Sequence, residues 1–391
     1  MNNEDLFKRN QIGYYKVGNE IYLSKHKALV DSAAKKTKTT FHWFDDAFDL
    51  FDRNLLGKQT LNQLYKERAQ MLRDKYDYLI LNYSGGCDSW NILKTFLDNG
   101  IKLDQVMVCW PFKAGEAGLY QPNKKDVRAN NFMSEWDFTT KPDLEWLAKT
   151  HPDIKIEMID WADPFISNPN FVNDTSFDNL NHFHNLADLS RSTLFSKTEQ
   201  ELIEKGKTVG TIWGLDKPNI VVQDETVYMA FNDSIITVAH PAPCNPYGTE
   251  YFYWTPDMPL LTFEMAAQTA NWFKARPRMQ PYMYNKTEIY TNKDLYLVKV
   301  QVNQVATRDG CYTTWADKTN NFQVNKPWSP IRADKDFWLY QNKDLTHHVD
   351  AWQSLYNELL VSIDNTDAIV RDKQKCGYRT IPTKWHAVCK F

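Results

Sequence analysis

An α/β fold built on a parallel, doubly wound sheet is predicted by three features of the sequence. Four short runs, at 78–81, 105–109, 154–159 and 208–213, read as strands, the first two largely apolar and read as buried. Helical patterns lie between them, the alternation that produces βαβ units. The first run leads into Ser84-Gly85-Gly86-Cys87-Asp88-Ser89, after which 91–98 reads as a helix. The sheet unit is expected at 76–275, with a small α+β extension at 1–75 and an α+β region at 276–391.

Composition sets the outer limits. At 391 residues the chain exceeds a usual single core, so one large or two to three smaller units are expected. Apolar content of 42% with 24% charge fits a soluble globular protein. A net charge of −3 argues against a broad nucleic-acid surface, and Lys35-Lys36-Thr37-Lys38 reads as a solvated patch. No apolar run approaches ~20 residues, so no membrane-spanning helix is expected. The opening MNNEDLFKRN lacks the apolar stretch of a signal peptide. Six scattered cysteines without a C-x-x-C pair fit free thiols in a reducing compartment, and the expected location is cytoplasmic.

Taken in order, Tyr14 to Val17 and Ile21 to Leu23 flank Gly18-Asn19-Glu20 as a hairpin, and Ser24 is placed to cap a helix through 25–30. Residues 61–75 carry apolar side chains at 61, 64, 65 and 72 with charges between, an amphipathic helix. In the turn at 84–89, two glycines let the main chain approach an anion, and Ser84 and Ser89 add hydroxyl donors. Bare N–H groups at the positive end of the following helix would complete a phosphate cradle. Asn99-Gly100 ends that helix.

The 105–109 strand is broken by Trp110-Pro111, and its carboxyl end places the backbone of Val108 and Cys109 beside the site. Cys109 itself reads as a core thiol. Residues 124–150 read as mostly helical, and 160–196 as a long connection containing His182 and His184. An i,i+2 pair does not share a helix face, so these two read as loop histidines, with substrate contact as the other reading. A helix is expected at 198–205, a hairpin at 220–232 turning at 223–225, and a helix at 261–274. Residues 241–259 are rich in Pro and aromatics. The alternation at 295–305 reads as a strand, with Arg308-Asp309-Gly310 turning into Cys311-Tyr312-Thr313, and 350–363 as a closing helix.

Ser84, Gly85, Gly86, Asp88 and Ser89, with Cys87 at the variable place, resemble the S-G-G-x-D-S PP-loop of the N-type ATP pyrophosphatases. That superfamily includes the asparagine, GMP, NAD and argininosuccinate synthetases and several RNA-thiolating enzymes. The only Gly-Lys-Thr, at 206–208, has Glu201 where a Walker A loop needs its first glycine. Within the superfamily, GYYKVGNEIYLSKHKALV is similar to the end of the glutaminase domain of asparagine synthetases. Tyr65-Lys66-Glu67 and Leu72-Arg73 match the spacing of a helix ahead of their PP-loop strand. Opening on Met1-Asn2-Asn3, the sequence lacks the N-terminal cysteine of that glutaminase half. Its texture is also similar to PP-loop proteins of bacteriophages.

The resemblance implies a sheet of the adenine nucleotide α-hydrolase-like type, with ATP and Mg²⁺ as cofactors. Cleavage would fall between the α and β phosphates of ATP, adenylating a small-molecule or nucleotide substrate that an amine donor then attacks. Phosphates would sit on 84–89. Asp88 would hold Mg²⁺ together with Asp216, and Lys217 would neutralise the departing pyrophosphate. Gly214-Leu215-Asp216-Lys217-Pro218 reads equally as a polar turn. It departs from the family's Gly-x-Gly-x-Asp-Glu, replacing the second acid by Lys217. Two rivals stay open. Lys375-Cys376-Gly377 is similar to the Glu-Cys-Gly of phosphoadenylylsulfate reductases without its acid, a sulfur chemistry for which Cys376 or Cys109 would be the carrier. The other rival is a nucleotide-binding protein without catalysis.

Overall fold

The structure, a computed structural model, describes residues 13–116, 133, 135–174, 186–214, 217–233, 244–284, 293–316, 318, 338–339, 342–362, 369–371, 376–378 and 380–391. The expected hairpin forms from β1 (Tyr14–Val17) and β2 (Glu20–Tyr22), and β3 (Thr39–His42) adds to its other side, giving the order β2-β1-β3. Helix α1 (Lys25–Lys35) is capped by Ser24, whose hydroxyl accepts from the Lys27 N–H at 3.3 Å. Helix α2 (Leu61–Lys75) starts in a capping box of Thr60 and Gln63. It buries Leu64, Tyr65, Arg68, Ala69 and Leu72, the face its apolar spacing predicts.

The central sheet is α/β and all parallel. Its strands are β4 (Tyr78–Asn82), β5 (Gln105–Trp110), β6 (Lys155–Asp160), β7 (Val209–Trp213) and, after the β8 (Asn219–Gln223)–β9 (Thr226–Ala230) hairpin, β10 (Thr249–Tyr251). They lie in the order β10-β7-β4-β5-β6. The chain therefore runs outward from β4 through β5 to β6, returns to the far side of β4 as β7, and continues outward to β10. That reversal makes the crevice between the carboxyl ends of β4 and β7 a topological switch point, where open α/β sheets bind ligands. Alternate side chains serve the two faces. Leu79, Leu81, Val106 and Val108 enter the main core, while Ile80, Met107 and Val209 pack with Leu202 and Ile203 of the helix Lys197–Glu204.

A second core forms where the N-terminal sheet meets a three-stranded antiparallel sheet, the strand His386–Lys390 beside β9 and β8. Tyr15, Phe41, Trp43, Ile220, Met229, Phe231 and Val388 lie in it. The helix Pro259–Lys274 joins the cores, giving Leu261 and Met265 to the first and Phe263, Ala270 and Phe273 to the second. Lys25 and Asp233, both fully buried, form an ion pair at 2.6 Å across this junction, and the Tyr15 hydroxyl donates to the same carboxylate at 2.9 Å.

Several expectations are corrected. Residues 295–305 are not a strand, and 308–310 do not turn a hairpin: Lys293–Cys311 is one α-helix. Val302, Val305 and Ala306 share a face at helical spacing and pack into the second core, so burial against a neighbouring helix outweighs the β propensity of the valines. A Cβ on Gly310 would lie 3.3 Å from the Gln268 carbonyl, so this glycine serves close helix packing. The helix expected at 91–98 starts at Cys87, taking in the last three residues of the turn. The connection 160–196 contains two short helices, Asp163–Ser167 and Leu186–Ser192. Strand β10 was not foreseen. Of the stretch expected to be helical at 124–150, the described part is helical from 135, with a π-turn over Trp136–Thr140 leading into Lys141–Thr150. No helix among the described residues is long and apolar enough to cross a membrane.

Candidate functional site

The turn 84–89 sits at the switch point because β4 delivers it there and the helix Cys87–Asp98 carries the chain away. Gly85 adopts φ +75°, which a residue with a Cβ resists, and Gly86 provides the helix N-cap without a side-chain cap bond. The carbonyls of Ser84, Gly85 and Gly86 are all occupied. Ser84 O accepts from the Thr140 hydroxyl at 2.9 Å. Gly85 O accepts from Lys318 Nζ at 2.7 Å and from the Thr139 hydroxyl at 3.3 Å. Gly86 O accepts from the Trp90 N–H at 2.9 Å and the Ser89 hydroxyl at 3.3 Å. With these carbonyls engaged, the loop leads an anion to the first turn of a twelve-residue helix, while the Ser84 and Gly86 N–H groups donate within the loop, to Ser89 Oγ at 3.3 Å and Ser84 Oγ at 3.4 Å. Ser84 and Ser89 stand 3.4 Å apart, oxygen to oxygen, within the loop.

Asp88 does not stand alone. Lys217, on the turn after β7, donates to both its oxygens at 3.0 and 2.9 Å, and the Tyr312 hydroxyl donates to Oδ1 at 2.7 Å. The Tyr253 hydroxyl donates to the Asp88 carbonyl at 2.8 Å. A Cβ on Gly214 would press on Ile92 at 2.7 Å, so the end of β7 lies tight against the helix bearing Asp88. This closeness explains how Lys217 reaches the carboxylate. Burial raises Tyr312 far above the ordinary phenol value, and the nearby Asp88 charge adds to it. Tyr312 is therefore a hydrogen-bond donor at neutral pH.

Beneath the loop lies a second charged pair. Lys318 Nζ bonds Asp143 Oδ2 at 2.6 Å and the Thr139 hydroxyl oxygen at 2.9 Å, in addition to Gly85 O. Burial pushes the Lys318 ammonium down and the Asp143 carboxyl up, each opposed by its partner. The Tyr83 hydroxyl, one residue before the turn, also donates to Asp143. The indoles of Trp90 and Trp315 flank the ammonium at 4.9 and 5.3 Å.

The sequence pointed to Ser84, Gly85, Gly86, Cys87, Asp88, Ser89 and Lys217, and these are gathered at one place. Val108 and Cys109 lie on the neighbouring strand, where pairing with β4 stops at Met107 while pairing with β6 runs on to Trp110. Asp216, His182 and His184 fall outside the described residues, as does the side chain of Cys376. Burial pushes the Cys87 thiol up to about 12, so it is neutral at physiological pH. Tyr312, Tyr253, Thr139, Thr140, Asp143 and Lys318 were missed. Each meets the loop or, for Asp143, Tyr83 just before it, through tertiary contact across 50 residues or more, and no local motif marks them.

Tests of fit separate the two expected cofactors. The engaged carbonyls and uncapped helix start suit a phosphate chain. For a divalent cation, the described donors amount to Asp88, already held by an ammonium, and no group of three His, Cys, Asp or Glu among the described residues could hold a metal. They do not make a magnesium site by themselves. The fold and site thus define an α/β protein with a five-stranded parallel sheet, flanked by helices, and a glycine turn opening a helix at its switch point. Comparison of the chain with protein-family models, with curated proteins and with solved structures finds no match.

Proposed function

We propose that this chain is an ATP pyrophosphatase of the PP-loop kind, with an adenine nucleotide α-hydrolase-like sheet, acting as an AMP-forming ligase. The observation that carries the reading is the Ser84-Gly85-Gly86-Cys87-Asp88-Ser89 turn at the switch point, with every carbonyl of 84–86 engaged by a protein donor. ATP would lie across the carboxyl edge of the sheet, its phosphates on 84–89 and its base near Val108 and Cys109. A carboxylate or carbonyl oxygen of the substrate attacks the α-phosphorus, the bond to the β-phosphate oxygen breaks, and the electron pair leaves with pyrophosphate. Loop N–H groups and the hydroxyls of Ser84 and Ser89 meet the charge of that leaving group. An amine then attacks the activated carbon, the bond to AMP breaks, and the amine nitrogen releases its proton. Lys217 keeps Asp88 neutralised, so the carboxylate does not repel the phosphates. No step is assigned to magnesium.

The test is ATP labelled at the α-phosphorus, incubated with the protein and a metabolite mixture. The expected products are labelled AMP and an equal amount of pyrophosphate, formed only with substrate present. Labelled ADP in place of AMP would mean γ-phosphoryl transfer and would overturn the reading.

A further inference from the structure

We propose that Lys318 is the positioning residue of the 84–89 loop, its ammonium holding the Gly85 carbonyl so that the loop keeps the shape that sets its hydroxyls and the helix start for the anion. The proposal rests on the reading of this loop as a phosphate site. An ammonium has three N–H donors, and Lys318 meets three acceptors: Gly85 O, Thr139 Oγ1 and Asp143 Oδ2. Lys318 is 2% exposed and its side chain is entirely covered, so water does not substitute for any of the three. Asp143 balances the charge and is tied by Tyr83 to the end of β4. A buried ion pair that served stability alone would be replaceable by apolar residues at little cost, and would have no need of the loop carbonyl. Here the cation is shared between its counter-ion and the one loop residue with a positive φ. Lys318 thereby fixes the direction of the Gly85–Gly86 peptide, whose N–H, opposite the held carbonyl, donates to Ser84 Oγ at 3.4 Å and so helps set where that hydroxyl stands.

Two variants separate positioning from stability. Asp143→Asn keeps the Lys318 contact with Gly85 while removing the counter-charge. The double variant Lys318→Met/Asp143→Leu removes both charges, so no ion is left buried and unpaired. Unfolding is followed in urea, and binding of ATP and of inorganic pyrophosphate, each with magnesium, by titration calorimetry. The expected result is a crossing. Asp143→Asn loses stability yet binds pyrophosphate within about threefold of wild type, whereas the double variant keeps its stability and binds about tenfold or more weakly, the scale of a lost charge-assisted hydrogen bond. A double variant that binds as wild type overturns the proposal. Amide exchange in the ligand-free proteins supplies a second readout. Residues 85–90 should exchange at least about tenfold faster in the double variant while β5 keeps its protection. If wild type binds neither probe, the pyrophosphatase reading falls by itself, and unchanged exchange at 85–90 then refutes the role of Lys318. Should the double variant fail to fold, Lys318→Gln takes its place in both measurements.

Discussion

Gly85 and Gly206 share a backbone torsion, φ +75°, and differ in what surrounds them. A Cβ on Gly206 would meet nothing within 4 Å. A Cβ on Gly85 would lie 2.6 Å from Thr140 Oγ1, 3.1 Å from Thr139 Cγ2 and 3.2 Å from Thr140 Cα. Alanine at either site carries the left-handed strain, roughly 1 kcal/mol. Gly206→Ala should cost about that and no more. In Gly85→Ala the Thr140 backbone must move, and its hydroxyl loses the bond to Ser84 O, worth about 1 kcal/mol. Overpacking against a fixed turn adds a further ~1–3 kcal/mol. The expected loss for Gly85→Ala is therefore about 3–5 kcal/mol in total, against ~1 for the control. Urea unfolding of the two variants, followed by far-ultraviolet circular dichroism, measures the difference directly. Equal losses would show that the contact between the loop and the 139–140 turn does not exist as described.

Three further outcomes are expected. Asp88→Asn should leave stability nearly unchanged, because the Asp88–Lys217 pair is partly exposed and worth at most ~1 kcal/mol, and calorimetry should find pyrophosphate bound no more weakly than by wild type, since the substitution removes a negative charge beside the loop; weaker binding would give the carboxylate a role of its own in holding the anion. Lys25→Met should destabilise by about 3–5 kcal/mol, since it leaves the Asp233 charge buried without its ammonium, and chemical denaturation showing a loss under 1 would contradict that burial. Burial pushes both Cys87 and Cys311 up to about 12, so peptide mapping after alkylation of folded protein at pH 7.5 should find both unmodified. Rapid labelling of Cys87 would instead favour thiol chemistry beside the loop.

The strands β4, β5 and β7 were legible because they are covered on both faces, which leaves continuous apolar runs such as Tyr78 to Leu81 with no alternation to misread. The 220–232 hairpin was legible from its turn residues, and Asp224 and Glu225 do take positive φ there, at 46° and 55°. Periodicity failed at 295–305, where valines at every second or third position satisfy both a strand and one face of a helix. Only the neighbouring helix decides between them. Strand β10, three residues between a proline turn and an aromatic run, has too little length to carry a pattern. The candidate site divides the same way. Its loop is contiguous and therefore readable, whereas Lys318 and Tyr312 reach it only through the folded chain.

That division has a consequence for how the molecule assembles. The contacts Gly85–Lys318, Trp90–Thr314 and Tyr65–Cys311 close segments of more than 220 residues, while β4, β5 and β6 find one another over much shorter spans. Long closures pay their entropy before any contact rewards it, so they form late. The sheet would come together first, with the glycine turn at its edge still unbraced. The turn would acquire its working shape only when the segment around Lys318 docks beneath it. Competence for an anion would then be among the last properties the chain gains on folding, and among the first it loses when that segment comes away.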